Sequence, residues 1–163
     1  MITPAAVTVT PIGVVHSEFT SKVGVPIQSA GAQQLCAELE VFPAYAAGLR
    51  DLEGFEYLIL LTHMHQATSE PLEVVPFLDC VAHGVFATRS PIRPNRIGLS
   101  VVRLIAIEGS TLRFEGNDML DGTPVLDIKP YVPAFDARQT ERIGWFASKL
   151  EQLPNKRADD RMG

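Results

Sequence analysis

Apolar and polar residues alternate along several short stretches of the chain, a pattern typical of β-strands that bury one face. Residues 35–41 show it most clearly, with apolar side chains at the odd positions and Glu38 and Glu40 at even ones. Further strands are predicted at residues 7–15, 55–65, 84–88, 100–108, 111–114 and 125–131. Gly109-Ser110 separates two of these strands and indicates a hairpin.

One helix is predicted, over residues 137–153. Its apolar residues recur at helical spacing, and charged residues occupy the opposite side. These apolar residues are Ile143, Phe146, Ala147, Leu150 and Leu153. Pro43 to Leu49 predicts only a short helical turn, and residues 17–34 form a long loop of the kind that often binds a ligand.

Short strands without alternating helices favour a mainly β fold over a Rossmann-like sheet. We therefore predict a single small β-barrel with long connecting loops and a C-terminal amphipathic helix. The barrel domain is expected to span residues 1–154, and residues 155–163 are expected to form a charged, frayed tail.

Composition narrows the classes of protein that the chain can represent. Apolar residues make up 46% of its 163 residues, which excludes a disordered chain. The net charge of −5 disfavours general nucleic-acid binding, so any RNA contact requires a local basic patch, for which residues 89–96 are the candidate. Cys36 and Cys80 are far apart in the sequence and are expected to be buried, reduced thiols. Residues 1–4 lack the features of a secretory signal, and no apolar run is long enough to span a membrane, so we expect a soluble, cytoplasmic protein.

Three arginines, Arg89, Arg93 and Arg96, fall within a segment that also contains Pro91 and Pro94. Proline restricts the backbone, so the guanidinium groups are presented by a stiff loop and lose little entropy when they bind an anion. We expect Arg89 to point into a ligand site and Arg93 or Arg96 to lie at its mouth, where they contact substrate. A solvated basic loop is the alternative, and the combination of prolines with Gly98 favours a binding function.

The segment after Asp121-Gly122-Thr123-Pro124 is a predicted strand with Asp127, Lys129 and Tyr131 on one face. A carboxylate, an ammonium group and a phenol in a row are able to handle protons. The same residues are equally able to form a structural ion pair on an outer face.

His63 and His65 lie on the same side of a predicted strand, as pairs of metal ligands sometimes do. A third ligand is hard to nominate, so a polar pair at the strand end is the better interpretation, with His65 and Gln66 able to touch a ligand. We predict no metal site. The chain also lacks the glycine-rich turns of Walker loops and of dinucleotide-binding folds.

Several of these motifs together resemble the TsaA/YaeB/TrmO family, the barrel-type S-adenosylmethionine-dependent tRNA methyltransferases. The matching segments cover almost the whole chain: residues 11–17, 52–58, 65–66, 86–95, 97–100 and 121–131. Two features depart from the family pattern. Longer bacterial members carry a further C-terminal domain, and the loop at residues 25–31 lacks the arginine found in many members.

The resemblance implies a β-barrel that binds S-adenosylmethionine between barrel and loops, near a dimer interface, and methylates N6 of threonylcarbamoyl-modified adenosine 37 in tRNA. It implies that the following residues contact the cofactor: Gln28, Ser29, Ala30, His65, Gln66, Arg89, Leu99, Asp121, Gly122, Thr123, Pro124 and Val125. We expect direct methyl transfer, with Asp127 or His65 as the proton acceptor. Lys129 and Tyr131 are expected to join Arg93 and Arg96 in binding substrate.

Three other functions fit the same residues. The first is a methyltransferase of the same fold that acts on another RNA or on a small molecule. The second is a module that binds S-adenosylmethionine without turnover. The third is a metal-dependent hydrolase built on His63 and His65, which would require bound zinc.

Overall fold

The computed structural model of the protein describes residues 5–162, so predictions for residues 1–4 and for Gly163 lie outside the described residues. Its strands are β1 (Gly13–His16), β2 (Cys36–Val41), β3 (Tyr57–His63), β4 (Glu73–Val74), β5 (His83–Gly84), β6 (Ile97–Glu108), β7 (Thr111–Glu115) and β8 (Pro124–Pro130). Six of them close a barrel in the order β1-β2-β7-β6-β3-β8, with antiparallel neighbours. The predicted mainly β barrel is confirmed.

The helical segments are short. Among residues 5–162 there is one α-helix, α1, which spans Pro133–Asp136. The 3₁₀ turns are Ser29–Gly31, Pro43–Leu49, Leu52–Gly54, Val85–Ala87, Pro94–Arg96, Gly144–Ser148, Leu150–Gln152 and Asp160–Met162. The helical turn predicted at Pro43–Leu49 is therefore confirmed, in 3₁₀ form.

The barrel interior is filled by the apolar residues that alternate along the strands. In β2 every second residue is buried, as predicted, while Glu38 and Glu40 point outward. Other fully buried side chains come from β3, β6, β7 and β8: Leu58, Leu60, Val102, Leu112, Phe114 and Val125. Burial of a side chain of this size contributes about 1.5–3 kcal/mol, so this interior is the main source of stability.

Two glycines permit local geometries that a side chain would disturb. Gly109 adopts a φ of 63° in the β6–β7 hairpin, which confirms the predicted turn. Gly98 lies opposite Thr62 of β3, and a Cβ atom at that position would be 2.5 Å from Thr62 Oγ1 and 2.8 Å from Met64 Cε. The backbones of β3 and β6 approach each other closely there because residue 98 has no side chain.

Two predicted strands are wrong in extent. Residues 85–87 form a 3₁₀ turn instead of a strand, since the Thr88 hydroxyl donates a hydrogen bond to the Val85 carbonyl at 2.7 Å and stabilises the turn. The first strand begins at Gly13, and Val7 and Val9 are exposed, because Pro11 has no backbone N–H to continue the ladder.

The predicted C-terminal amphipathic helix over residues 137–153 is not formed. Two 3₁₀ turns, Gly144–Ser148 and Leu150–Gln152, occupy the segment. Gly144 has a φ of 63°, a conformation that interrupts any α-helix passing through it. The apolar spacing predicted which side chains turn inward, but the surface that they cover is the wall of a cavity.

Backbone contacts involve residues 157 and 158 of the segment predicted to form the tail. Ala158 exchanges backbone hydrogen bonds of 2.8 Å with Gly24 and Val25, and Pro26 and Arg157 form a β-bridge. These contacts fasten the end of the chain to the loop that follows β1.

Both cysteines are exposed, in contrast to the predicted burial. Cys36 points outward because it occupies an outer position of β2, and Cys80 lies in a surface loop. Within residues 5–162 no helix combines the length and the apolar character that crossing a bilayer requires.

Candidate active site

A cavity of about 490 Å³ lies beside the barrel, between its strand ends and the surrounding loops. Its walls come from the loop after β1, the end of β3 and the residues that follow it, residues 76–78, the arginine loop with the start of β6, residues 118–123, and the C-terminal segment from residue 143 to 159. Most of the wall is apolar, with a few polar groups facing the same space. That combination is typical of a site for a small organic molecule.

The cavity brings together seven of the twelve residues predicted to bind a cofactor. They are Gln28, Ala30, His65, Gln66, Arg89, Leu99 and Thr123. They come from five separate parts of the chain, so the fold brings them together.

The other five predicted cofactor residues do not line the cavity. Val125 is buried inside the barrel, and Pro124 pairs with Val14 of β1. Asp121 accepts a hydrogen bond of 3.0 Å from the Ser17 backbone N–H. Ser29 and Gly122 are neighbours of cavity residues: the Ser29 backbone N–H donates to Asp118, and Gly122 lies beside the His65 ring.

Arg89 is the only one of the three loop arginines among the cavity residues. Its Nη1 atom donates a hydrogen bond of 3.0 Å to Gln28 Oε1, which ties the arginine loop to the loop after β1. Because the guanidinium group keeps its remaining donors, it is able to bind a carboxylate or phosphate.

Arg93 and Arg96, predicted to contact substrate, do not line the cavity. Arg93 Nη1 donates to the Thr88 carbonyl at 2.8 Å, and Arg96 Nη1 donates to the Ala67 carbonyl at 2.6 Å. Arg96 also pairs with Glu70 at 3.2 Å. Their observed contacts hold the loop in the shape that presents Arg89.

Asp127, Lys129 and Tyr131 also lie outside the cavity. Lys129 Nζ is 2.7 Å from Asp127 Oδ2 in a half-exposed ion pair, which is the structural alternative stated above. Tyr131 packs edge-on against Tyr57, with 6.3 Å between ring centroids. The position of Asp127 removes the geometric basis for its predicted role as proton acceptor.

His65 lines the cavity. Burial lowers its pKa, the neighbouring His63 lowers it further, and the Asp121 carboxylate partly opposes both effects. The imidazole is therefore neutral at neutral pH and able to accept a proton. No group of three potential metal ligands occurs in the part of the chain that the structure describes, so the two histidines have no third ligand there.

Asp118 is a cavity residue that the sequence reasoning missed. The Ser100 hydroxyl donates a hydrogen bond of 2.6 Å to its Oδ1 atom. Burial raises the pKa of Asp118 to about 6, against the opposing effects of that hydrogen bond, backbone N–H groups and the Arg89 charge. No periodic pattern marks Asp118, because it lies in the irregular segment between β7 and β8.

The C-terminal wall was missed as well. Its side chains are Ile143, Trp145, Phe146, Leu150 and Leu153, and Phe77 and Leu78 line the same cavity. The helical spacing had marked four of them as apolar, and only the fold reveals that they enclose a site.

The sequence and the fold of this chain are similar to those of several known proteins. Residues 14–137 match the model of the tRNA-methyltransferase O N-terminal domain. A probable S-adenosyl-L-methionine-binding protein of Pyrococcus abyssi is 47% identical over 161 residues, covering 99% of this chain and 88% of that protein. A mouse tRNA (adenine(37)-N6)-methyltransferase is 38% identical over 140 residues, covering 79% of this chain and 32% of that enzyme. The crystal structure of TrmO from Pseudomonas aeruginosa superposes with a TM-score of 0.72 at 41% identity, over 86% of this chain and 63% of that one.

Proposed function

The chain belongs to the family of the tRNA-methyltransferase O N-terminal domain, and from this premise we propose that it transfers a methyl group from S-adenosylmethionine to N6 of adenosine 37 in tRNA. The family match confirms the resemblance inferred from the sequence motifs. The acceptor that we expect is the threonylcarbamoyl-modified form of that adenosine. One observation carries the proposal: five of the seven polar residues expected to hold the cofactor, Gln28, His65, Gln66, Arg89 and Thr123, line a single apolar cavity.

The cavity suits S-adenosylmethionine in size and chemistry. Its volume of about 490 Å³ lies within the range of small-molecule sites, and its apolar walls match the flat adenine ring. Arg89, held by Gln28, is available for the carboxylate of the methionine portion. Asp118, ionised above about pH 6, balances a positive charge on the ligand.

When bound, S-adenosylmethionine supplies an activated methyl group on a positively charged sulfur. The protein then has to position the acceptor nitrogen in line with that methyl group and to exclude water. The apolar C-terminal wall excludes water. Neutral His65 accepts the proton that the nitrogen loses, since its pKa is lowered and it faces the cavity.

Two assays on the full chain test this proposal. Calorimetry with S-adenosylmethionine measures cofactor binding, and labelled methyl transfer is measured with tRNA before and after removal of the threonylcarbamoyl group. Arg89→Ala is expected to weaken cofactor binding strongly, whereas Arg50→Ala, at an exposed arginine that does not line the cavity, serves as the control. Label incorporation that does not depend on the modification would contradict the proposed acceptor.

A second candidate is a protein that binds S-adenosylmethionine without transferring its methyl group. The name of the Pyrococcus relative, of which the chain covers 88%, states binding alone, and the net charge of −5 gives tRNA no general electrostatic attraction. Cofactor binding with no labelled product in any RNA pool would support this candidate.

We also propose a homodimer that acts in the cytoplasm, as expected from the sequence. Phe86 and Phe135 are 75% and 72% exposed, and large exposed apolar side chains of this kind are often covered by a partner. Light scattering on the purified protein measures its oligomeric state directly.

A further inference from the structure

Asp79, His83 and Trp145 form a row of three side chains that ends at the C-terminal wall of the cavity. His83 Nε2 is 2.9 Å from Asp79 Oδ2, so the ring and the carboxylate form a hydrogen-bonded pair. The His83 ring stacks on the indole of Trp145, with 4.6 Å between centroids and 13° between planes. Trp145 in turn lines the cavity, so this row extends from a carboxylate to the wall of the site.

We propose that Asp79 and His83 are positioning residues that hold Trp145 against the bound cofactor. This inference rests on the proposed function, because it takes the cavity to be the S-adenosylmethionine site. Neither Asp79 nor His83 lines the cavity, so both act through the indole.

The contacts around Trp145 determine the orientation of its ring. Its Nε1 atom donates a hydrogen bond of 2.8 Å to the Ala87 carbonyl, which fixes one edge. Phe146 also stacks on the indole, with 4.0 Å between centroids. With an edge bonded and aromatic rings packed on it, the indole has little freedom, and such preorganisation reduces the entropy lost when a ligand binds.

Asp79 is suited to anchor this row because it is almost buried and has several partners. Its side chain is 9% exposed, and it accepts hydrogen bonds from the Cys80 backbone N–H at 2.8 Å and pairs with Lys149 Nζ at 3.4 Å. The hydrogen bond with His83 is the main cause that lowers the pKa of Asp79 to about 2, and the Cys80 N–H is the next. The carboxylate therefore stays ionised under all ordinary conditions.

The same carboxylate connects two segments that are distant in the sequence. Asp79 and the β5 residue His83 precede the arginine loop in the sequence, while Trp145 and Lys149 belong to the C-terminal segment. Arg161 adds a second tie, since its Nη1 atom donates to the carbonyls of Pro76 and Asp79 at 3.1 and 3.2 Å. The family match ends at residue 137, so this wall is built by residues beyond the matched domain.

Trp145 is the only tryptophan in the sequence, so its fluorescence reports on this wall alone. Asp79→Asn is expected to shift the emission of the free protein to longer wavelength as the indole loosens and becomes hydrated. His83→Phe keeps an aromatic ring against the indole while removing the bond to Asp79, and should cause a smaller shift. Trp145→Phe removes the signal and identifies its source.

The same variants are expected to weaken S-adenosylmethionine binding about two- to tenfold, the equivalent of one aromatic contact. The KM for the cofactor should rise while kcat at saturating cofactor stays within about twofold, because the wall binds the ground state and the transition state alike. Glu40→Gln is the matched control, since it makes the same carboxylate-to-amide change in a similar carboxylate–histidine pair, His16 Nε2 to Glu40 Oε2 at 2.8 Å, on the outer surface of the barrel.

The outcomes separate this inference from the proposed function. Failure of the wild-type protein to bind S-adenosylmethionine in calorimetry would overturn the proposed function. An emission spectrum and a cofactor Kd that are the same in Asp79→Asn as in the wild type would overturn the positioning role, even if the cofactor binds.

Discussion

Replacement of Asp118 by asparagine is the most informative change at the site. The amide keeps the shape of the side chain and is still able to accept the hydrogen bond from the Ser100 hydroxyl, so the change removes mainly the charge. If the carboxylate balances a positive charge on the cofactor, its loss weakens cofactor binding at neutral pH. The direction in which cofactor affinity changes with pH follows from the raised pKa of Asp118.

In the free wild-type protein, burial raises the pKa of Asp118 to about 6. A cation bound nearby favours the ionised form, so binding at low pH requires Asp118 to release a proton. Affinity should therefore rise with pH, by about tenfold per unit below pH 6, and level off above it. Calorimetry from pH 5 to pH 8 measures this slope, and the slope should be absent in Asp118→Asn.

Stability should change in the opposite direction. The folded pKa of about 6 lies above the reference value of 3.8, so the folded state holds the proton more tightly than the unfolded chain. The free energy of unfolding of the wild type then falls as pH rises from about 4 to 6, and Asp118→Asn should gain about 1–3 kcal/mol at pH 7. Thermal unfolding at pH 4 and pH 7 measures the difference.

Asp51→Asn provides the matched control, because it makes the same chemical change at an exposed position. A wild-type Kd for S-adenosylmethionine that stays constant from pH 5 to pH 8 would refute the reasoning. S-adenosylhomocysteine, which lacks the sulfonium charge, adds a further test: a weaker pH slope for this ligand would identify the sulfonium as the charge that Asp118 balances.

The remaining predictions concern the arginine loop, the barrel and the C-terminal wall. Arg89→Lys should weaken S-adenosylmethionine binding about tenfold or more in calorimetry, because an ammonium group cannot reproduce the two-pronged contact of a guanidinium with a carboxylate. Gly98→Ala should lower the free energy of unfolding by about 1–3 kcal/mol in chemical denaturation, because the added Cβ atom would collide with the side chains of Thr62 and Met64. Gly48→Ala is the control, since a Cβ atom there has open space and should leave the free energy of unfolding unchanged. Acidification should release the C-terminal wall. The pKa of Asp79 is lowered to about 2, mainly by its hydrogen bond with His83. The stabilisation that the Asp79 carboxylate provides is therefore complete above about pH 4 and is lost as the pH falls toward 2. Trp145 emission should report this transition, and Asp79→Asn should abolish it.

The barrel was predictable because its strands carry the simplest of patterns. Alternation in β2 and the turn at Gly109 each follow from local physical chemistry, and both were confirmed. The pattern failed where a local interaction competes with it. At residues 85–87 the bond between the Thr88 hydroxyl and the Val85 carbonyl favours a 3₁₀ turn over a strand.

The site was predictable only in part, because the local sequence pattern does not indicate which distant segments come into contact in the fold. Arg89 was identified from the stiffness of its loop, and His65 from its place at a strand end. Asp118 was missed because its environment is created by Ser100, Ser29 and Arg89, which are distant in the sequence. Asp127 was a candidate because it lies on the same strand face as Lys129, an arrangement that fits an ion pair equally well, and the two residues form that ion pair outside the cavity.

The last strand of the barrel ends at Pro130, whereas the cavity is completed only by residues 143–159. During synthesis the scaffold can therefore fold before the chamber beside it is enclosed. The same order has an evolutionary consequence. Mutations after Pro130 can change the cavity wall and its ligand preference, while the barrel strands stay intact.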